Sequence, residues 1–462
     1  MERSLFAREA LLPAGWARDV LLEWNADGEI ARVSAGSAPG NAPRAAGPVL
    51  PGMPNLHSHA FQRAMAGRAE VRGHPTDDFW TWREAMYHLV THLEPGDIGH
   101  IAEQLYIEML KHGYTSVAEF HYLQHDPRGK PYADRAELAH RVIDAARSTG
   151  IAMTLLPVLY AHGGFGHKPL NAAQKRFAGD AASIAQLLRE LIAAYAAVPR
   201  LAFGVAPHSA RAVDALELTE IVAAMDGIDA FAPIHMHASE QTGEVRECFE
   251  TQGVTPIHWV MDLVPVDKRW CFVHATHATE EERSRMRSAL VVAGLCPSTE
   301  ANLGDGIFPF AEHFEQQGRW GVGGDSHVSR SPFDELRALE YSQRLAQRVR
   351  NVSASEAAPE VATNLWLGAC AGGAQALGQP VGMLAAGRRA DLVVLDGNDV
   401  DLEALDAPGA LAVATFSGNA NRVRDVFVAG EPVVIEGRHP REEQARDAYR
   451  ATLGRLRLRP PG

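Results

Sequence analysis

The stretch PGMPNLHSHAFQRAM, residues 51–65, ends a short apolar run in two imidazoles two positions apart, His57 and His59. Gln62 follows three residues later. In extended backbone, residues i and i+2 share a face. Both rings therefore leave the end of a strand in the same direction. Alone, an HxH pair is a weak signal, because a single histidine at a strand end is ordinarily a hydrogen-bonded structural residue. Its meaning depends on what the rest of the chain brings to the same place.

Outward from that stretch, short apolar runs of strand type alternate with longer helical segments. The strand candidates are Val49–Asn55, Tyr114–Phe120, Ile151–Leu159, Leu201–Ala206, Ile234–Ala238, Trp270–Ala275, Leu290–Cys296 and Trp320–Gly324. Amphipathic helical segments lie between them, among them Ala133–Ser148, Ala181–Ala197, Thr279–Ser288 and Pro332–Val349. Strands separated by helices call for parallel pairing through crossovers, and eight such runs suggest an α/β fold with a closed, TIM-like (β/α)8 barrel over residues 49–375. The ends break this rhythm. Residues 1–48 and 376–462 carry short β-type pieces with glycine turns, each too small for a comfortable core alone. They are expected to combine into one small β-sandwich with the barrel inserted between them.

Bulk composition narrows the function classes. The chain has 462 residues, 46% hydrophobic and 22% charged, as expected of a globular protein. A net charge of −13 offers no basic face to nucleic acid or anionic lipid. No apolar run reaches the ~18 residues of a membrane span, and the N-terminus lacks the apolar stretch of a signal peptide, so a cytoplasmic protein is expected. The four cysteines, Cys248, Cys271, Cys296 and Cys370, form no CxxC pair and read as small buried hydrophobes. Twenty-one histidines against 11 methionines and 9 tyrosines is the unusual count.

Barrel chemistry gathers at the C-terminal ends of strands, and those ends carry most of the interesting histidines. They read HSH (57–59), EFHYLQH (119–125), APHSAR (206–211), HMHASE (235–240), VHATH (273–277) and GGDSH (323–327). Burying each imidazole without a partner costs about 1–3 kcal/mol. Packing alone therefore does not explain so many at one rim, whereas a nitrogen-rich pocket for one divalent ion does. His57, His59, His237, His274 and Asp325 are the candidates for that pocket, while His121, His235 and His277 read as structural residues.

At these residues the chain resembles the amidohydrolase superfamily, through PNLHSH, HASE, VHATH and GGDSH in that order and the tail GMLAAGRRADLVVLD (382–396). Binuclear members usually carry a bridging lysine after the fourth strand. Here that strand ends GVAPHSAR with no lysine, so the resemblance implies the mononuclear, deaminase-like branch. It implies His57, His59, His237 and Asp325 as metal ligands, with Zn²⁺ the expected ion and Fe²⁺ the other choice. It further implies Glu240 as the proton carrier to the leaving nitrogen, His274 as the group orienting water or polarising substrate, and Asp325 as the base.

Further stretches, FWTWREAMY, APHSARAV and HMHASEQTGEV among them, narrow the likeness to enzymes that deiminate N-formimidoyl-L-glutamate in histidine breakdown. That implies a small anionic substrate held by Gln62, Arg83, Tyr122, His208 and Arg211, since a planar guanidinium suits bidentate carboxylate binding. Arg83 falls in an insertion between the first two barrel strands, where a solvated arginine is the competing reading. Deamination of a heterocycle such as guanine on the same metal site is the alternative activity. A homodimer is expected, its terminal segments covering strand edges.

Overall fold

A computed structural model describes residues 3–72 and 77–456. Its strands are β1 (Arg3–Leu12), β2 (Gly15–Trp24), β3 (Ile30–Ser34), β4 (Val49–Pro51), β5 (Met53–Ser58), β6 (Tyr114–His121), β7 (Ala152–Leu159), β8 (Leu201–Phe203), β9 (Ala206–Pro207), β10 (Ile234–Ala238), β11 (Trp270–His274), β12 (Val292–Leu295), β13 (Arg319–Val322), β14 (Leu392–Leu395), β15 (Val423–Val428) and β16 (Glu431–Val434).

The central strands form two parallel arcs, β5-β6-β7-β8 with β9 on β7, and β10-β11-β12-β13. Isolated parallel bridges join the arcs at both seams, Val205 to Ile234 and Ser209 to His237 on one side and Ser58 to Asp325 on the other. The arrangement is TIM-barrel-like. Every residue of β6, β7, β10 and β11 is buried. Parallel strands covered on both faces have this continuous burial, which is why they read as unbroken apolar runs. Side-chain caps start the intervening helices: Asp180 and Ser183 form a capping box on Ala181–Tyr195, as Thr279 and Glu282 do on Glu280–Ser288.

The expected strand Val49–Asn55 is two strands in two different sheets. Val49–Pro51 pairs with β1 and β14, whereas Met53–Ser58 opens the first arc. The chain changes sheet at Gly52, where a Cβ would lie 2.3–2.9 Å from Thr115 side-chain atoms. Only glycine permits that approach. The expected strand Leu201–Ala206 is likewise divided, into β8 and β9.

The terminal segments meet in one seven-stranded sheet, ordered β16-β15-β14-β4-β1-β2-β3, where two sandwich layers were expected. Its own apolar cluster includes Leu5, Val20, Leu22, Trp24, Ile30 and Leu392. Residues 376–462 also supply helices. Glu442–Leu456 packs on the helix Pro95–Lys111, with Lys111 Nζ 2.6 Å from Glu442 Oε2 and Arg455 paired to Asp97. All four cysteines are free and buried. Among the described residues, no helix is long and apolar enough to cross a membrane.

Candidate metal centre and active site

The seam between β13 and β5 builds the floor of the site. Asp325 N donates to His57 O at 3.0 Å, and His59 N donates to Asp325 O at 3.1 Å. The backbone comes this close because of Gly323, where any Cβ would sit 2.8–2.9 Å from His57 atoms. The GGD sequence is thus the device that sets Asp325 beside the HSH pair.

Three imidazoles converge there. His57 Nε2 lies 3.1 Å from His59 Nε2 and 3.1 Å from His237 Nε2. Asp325 Oδ1 is 3.5 Å from His57 Nε2 and 3.4 Å from His59 Nε2. A tetrahedral ion with bonds of about 2.0–2.2 Å sets its ligand atoms roughly 3.4 Å apart. The ring tautomers fit the same purpose. His59 Nδ1 donates to Phe120 O at 3.0 Å and His237 Nδ1 donates to His208 O at 3.1 Å, which turns both Nε2 lone pairs inward. Burial, followed by the neighbouring imidazoles, holds His57 and His237 well below the ordinary histidine range. His59 is lowered by burial as well. Neutral rings aiming lone pairs at one another are electrostatically unfavourable unless a cation lies between them, so this donor set fits a metal ion.

Beside the floor stands an acid–base group. His274 Nε2 is 3.7 Å from Glu240 Oε1 and 3.9 Å from Asp325 Oδ2, and its Nδ1 is 3.2 Å from Glu300 Oε1. Burial pulls the His274 pKa down, but the facing carboxylates of Glu240, Glu300 and Asp325 outweigh it and hold the ring up at about 10. Burial pushes the Glu240 carboxyl up to about 7, against the pull of His274 and Arg211. The backbone is strained where these groups leave their strands. Ser239, His274, Ala275, Asp325 and His327 all have left-handed φ of 47–68°. Such conformations cost non-glycine residues of order 1–3 kcal/mol and concentrate at functional sites.

The pocket above this floor is lined by Gln62, Arg83, Tyr122, His208 and Arg211 together with His59, His237, Glu240, His274 and Asp325. His57 is fully buried and does not line the pocket. Arg83 sits on the helix Phe79–Val90, which Asp78 caps and which is inserted between β5 and β6. Its guanidinium lies 4.5 Å from the Trp80 ring and 5.4 Å from Tyr87. Arg211 lies 5.6 Å from Trp80 and 5.9 Å from Phe79. The Nε groups of both arginines are buried without a hydrogen-bond partner. Gln62 Nε2 donates to Tyr122 Oη at 2.8 Å, while Gln62 Oε1 is buried and unpartnered. Burial, then the Arg211 charge, holds His208 neutral. Of the histidines read as structural, His235 bonds Ala376 O at 2.7 Å and His277 bonds Asp305 O at 2.9 Å. His121 is buried with Nε2 unpartnered.

Several residues in this assembly are absent from the sequence reading. Glu300 accepts from Cys296 N at 2.8 Å while facing His274. Glu119 accepts from Ser58 Oγ at 2.6 Å, Ala60 N at 2.7 Å and Tyr106 Oη at 3.1 Å, clamping both sides of the HSH segment. A carboxyl inside the otherwise apolar VAEF run was the available signal for Glu119. Gln174 Nε2 ties Tyr87 and Tyr160 of the pocket wall, 3.1 Å from each hydroxyl, and nothing in its local sequence marks it.

Residues 49–433 match the sequence profile of the amidohydrolase family, and the chain belongs to that family. Residues 2–46 match a second profile, described as the N-terminal domain of formimidoylglutamate deiminase HutF. Formimidoylglutamate deiminase of Pseudomonas aeruginosa is 52% identical over 98% of this chain and 99% of its own. A 5-methylthioadenosine/S-adenosylhomocysteine deaminase of Natronomonas pharaonis is 29% identical over 85% of this chain and 82% of its own. The crystal structure of an amidohydrolase from Brucella melitensis superposes with a TM-score of 0.93 at 42% identity, covering 98% of this chain and 99% of that one.

Proposed function

We propose that this chain is a formimidoylglutamate deiminase, hydrolysing N-formimidoyl-L-glutamate to N-formyl-L-glutamate and ammonia in histidine degradation. The observation that carries the reading is the placement of two arginines, whose Nε groups are buried without a hydrogen bond although Arg211 Nε faces Glu244 Oε1 at 3.8 Å, in the pocket that is also lined by Glu240, His274, His59, His237 and Asp325. An anionic tail and a hydrolysable head are thereby addressed at once. The 52% identity to the Pseudomonas aeruginosa deiminase over nearly the whole of both chains supports the same substrate.

His57, His59, His237 and Asp325 would hold one divalent ion, Zn²⁺ or, with the same three imidazoles and carboxylate, Fe²⁺. When bound, that ion lowers the pKa of a water from about 15.7 toward ~7. Asp325 takes the proton of the attacking water, whose oxygen adds to the formimidoyl carbon. His274, held by Glu300 and Asp325, orients the water and polarises the substrate. The Glu240 carboxylate pairs with the amidine head, takes up the remaining proton of the added hydroxyl and delivers it to the terminal nitrogen as the formyl C=O forms. The C–N bond then breaks, ammonia leaves and the formyl group stays on glutamate. Arg83 and Arg211 clamp the carboxylates, with Gln62, Tyr122 and His208 completing the tail site.

The closed eight-stranded barrel, the curl of the terminal sheet into a sandwich and the division into 1–48 plus 376–462 against 49–375, with Val49–Pro51 lent to the terminal sheet, belong to this reading, as do a cytoplasmic location and a homodimer. Ammonia release from N-formimidoyl-L-glutamate, its aspartate analogue, a guanidino acid and guanine tests the substrate. Turnover is expected to be fastest with the glutamate compound, and preferential guanine turnover would replace the reading with a heterocycle deaminase.

A further inference from the structure

A second group of ligand-type side chains stands apart from the cluster above, on segments that leave neighbouring strand ends. His162 and His167 come from the segment after β7, and Asp214 precedes the helix Ala215–Ile228. His162 Nε2 lies 3.5 Å from Asp214 Oδ2 and His167 Nε2 lies 3.7 Å from it, with the two rings 4.5 Å apart. The three ligand atoms all fall within 4.8 Å of one another. Two of these spacings, 3.5 and 3.7 Å, are close to the roughly 3.4 Å that a tetrahedral ion imposes.

The surroundings favour a cation. Asp214 is fixed because its Oδ1 accepts from Glu217 N at 2.8 Å as the cap of its helix, which leaves Oδ2 toward the rings. His162 Nε2 is buried and faces Asp214 Oδ2, while the His167 ring is 67% exposed and gives an ion access from solvent. His167 holds a left-handed φ of 58°, a conformation a non-glycine residue adopts at a cost. Burial and repulsion from Asp214, Asp180 and Glu220 push the nearby Glu217 carboxyl up to about 7, which shows how negative this corner is.

We propose that His162, His167 and Asp214 form a second, weaker site for a divalent ion of the zinc class, outside the proposed deimination chemistry. Two imidazoles and a carboxylate suit Zn²⁺ and its neighbours in the first transition row better than Mg²⁺ or Ca²⁺. The site has a structural consequence. Ala161 N and His162 N both donate to Ala212 O at 2.9 Å, one residue from Arg211. An ion held by His162, His167 and Asp214 braces that contact and so the segment that carries Arg211.

The test is a Zn²⁺ titration of tag-free enzyme already loaded with its first ion, followed by calorimetry. The expected result is a second Zn²⁺ per chain whose affinity falls about tenfold or more in His167→Ala and in Asp214→Asn. Asparagine retains the helix cap, so the second variant keeps its fold. The first ion, counted by elemental analysis after gel filtration, is expected to stay with both variants. Saturation at one ion per chain in the unaltered protein would overturn the proposal. Unchanged binding of the second ion in both variants would do the same.

Discussion

The floor and the wall of the pocket are built by different physics. The floor hangs from strand ends whose backbones are hydrogen-bonded across the β13–β5 seam, and two of its three imidazoles are locked in one tautomer by backbone carbonyls. The wall that carries Arg83 and Arg211 rests on an inserted helix and on the segment after β9, held by stacking on Trp80, Phe79 and Tyr87. Directed hydrogen bonds fix atoms closely enough for ligation and proton transfer. Stacking and, for Arg211, the Glu244 carboxylate 3.8 Å away hold these guanidinium groups, which in the proposed reading take the carboxylates of the substrate. In the proposed reading, chemistry falls to the scaffold and recognition to what is attached to it, an arrangement that would let relatives of one family differ in substrate.

The sharpest way to break this contrast is at the floor. Glu240→Gln is expected to lower kcat about 10²–10⁴-fold with the circular dichroism spectrum unchanged; near-normal turnover by metal-replete protein would remove Glu240 from proton delivery. At the wall, Arg211→Met is expected to cut kcat/KM about 100-fold for the dicarboxylate substrate and to leave an uncharged amidine almost unaffected. Equal losses on both would mean that the wall does not read charge. Glu119→Gln, which loosens the clamp on the HSH segment, should weaken metal binding about tenfold with KM little changed, as a chelator competition would show. The smallest effect on activity is expected at Gly52→Ala, where overpacking against Thr115 should cost about 1–3 kcal/mol in denaturant unfolding while KM holds.

The same contrast governs what the sequence discloses. Fully buried parallel strands leave continuous apolar runs, so β6, β7, β10 and β11 fall where expected, and the polar residues ending them stand out against the apolar background. Arg83 is poorly legible because the helix Phe79–Val90 has no periodic tie to the barrel, and only its stacking on Trp80 and Tyr87 turns it inward. The break at Gly52 is invisible locally, since it depends on Thr115, far along the chain. Glu300 and Gln174 act through contacts made only after folding. The terminal segments announce their β character, but not that a single sheet collects them or that Glu442–Leu456 packs on the helix Pro95–Lys111.

In the proposed reading, four side chains far apart in the sequence grip one ion that the deimination requires. Stripping the protein with a chelator and restoring Zn²⁺ in steps, while following ammonia release from N-formimidoyl-L-glutamate, tests this directly. Activity is predicted to vanish with the tightly held ion and to return in proportion up to one equivalent per chain, with His237→Ala unable to recover. Full turnover by metal-free protein, or normal recovery in His237→Ala, would contradict it.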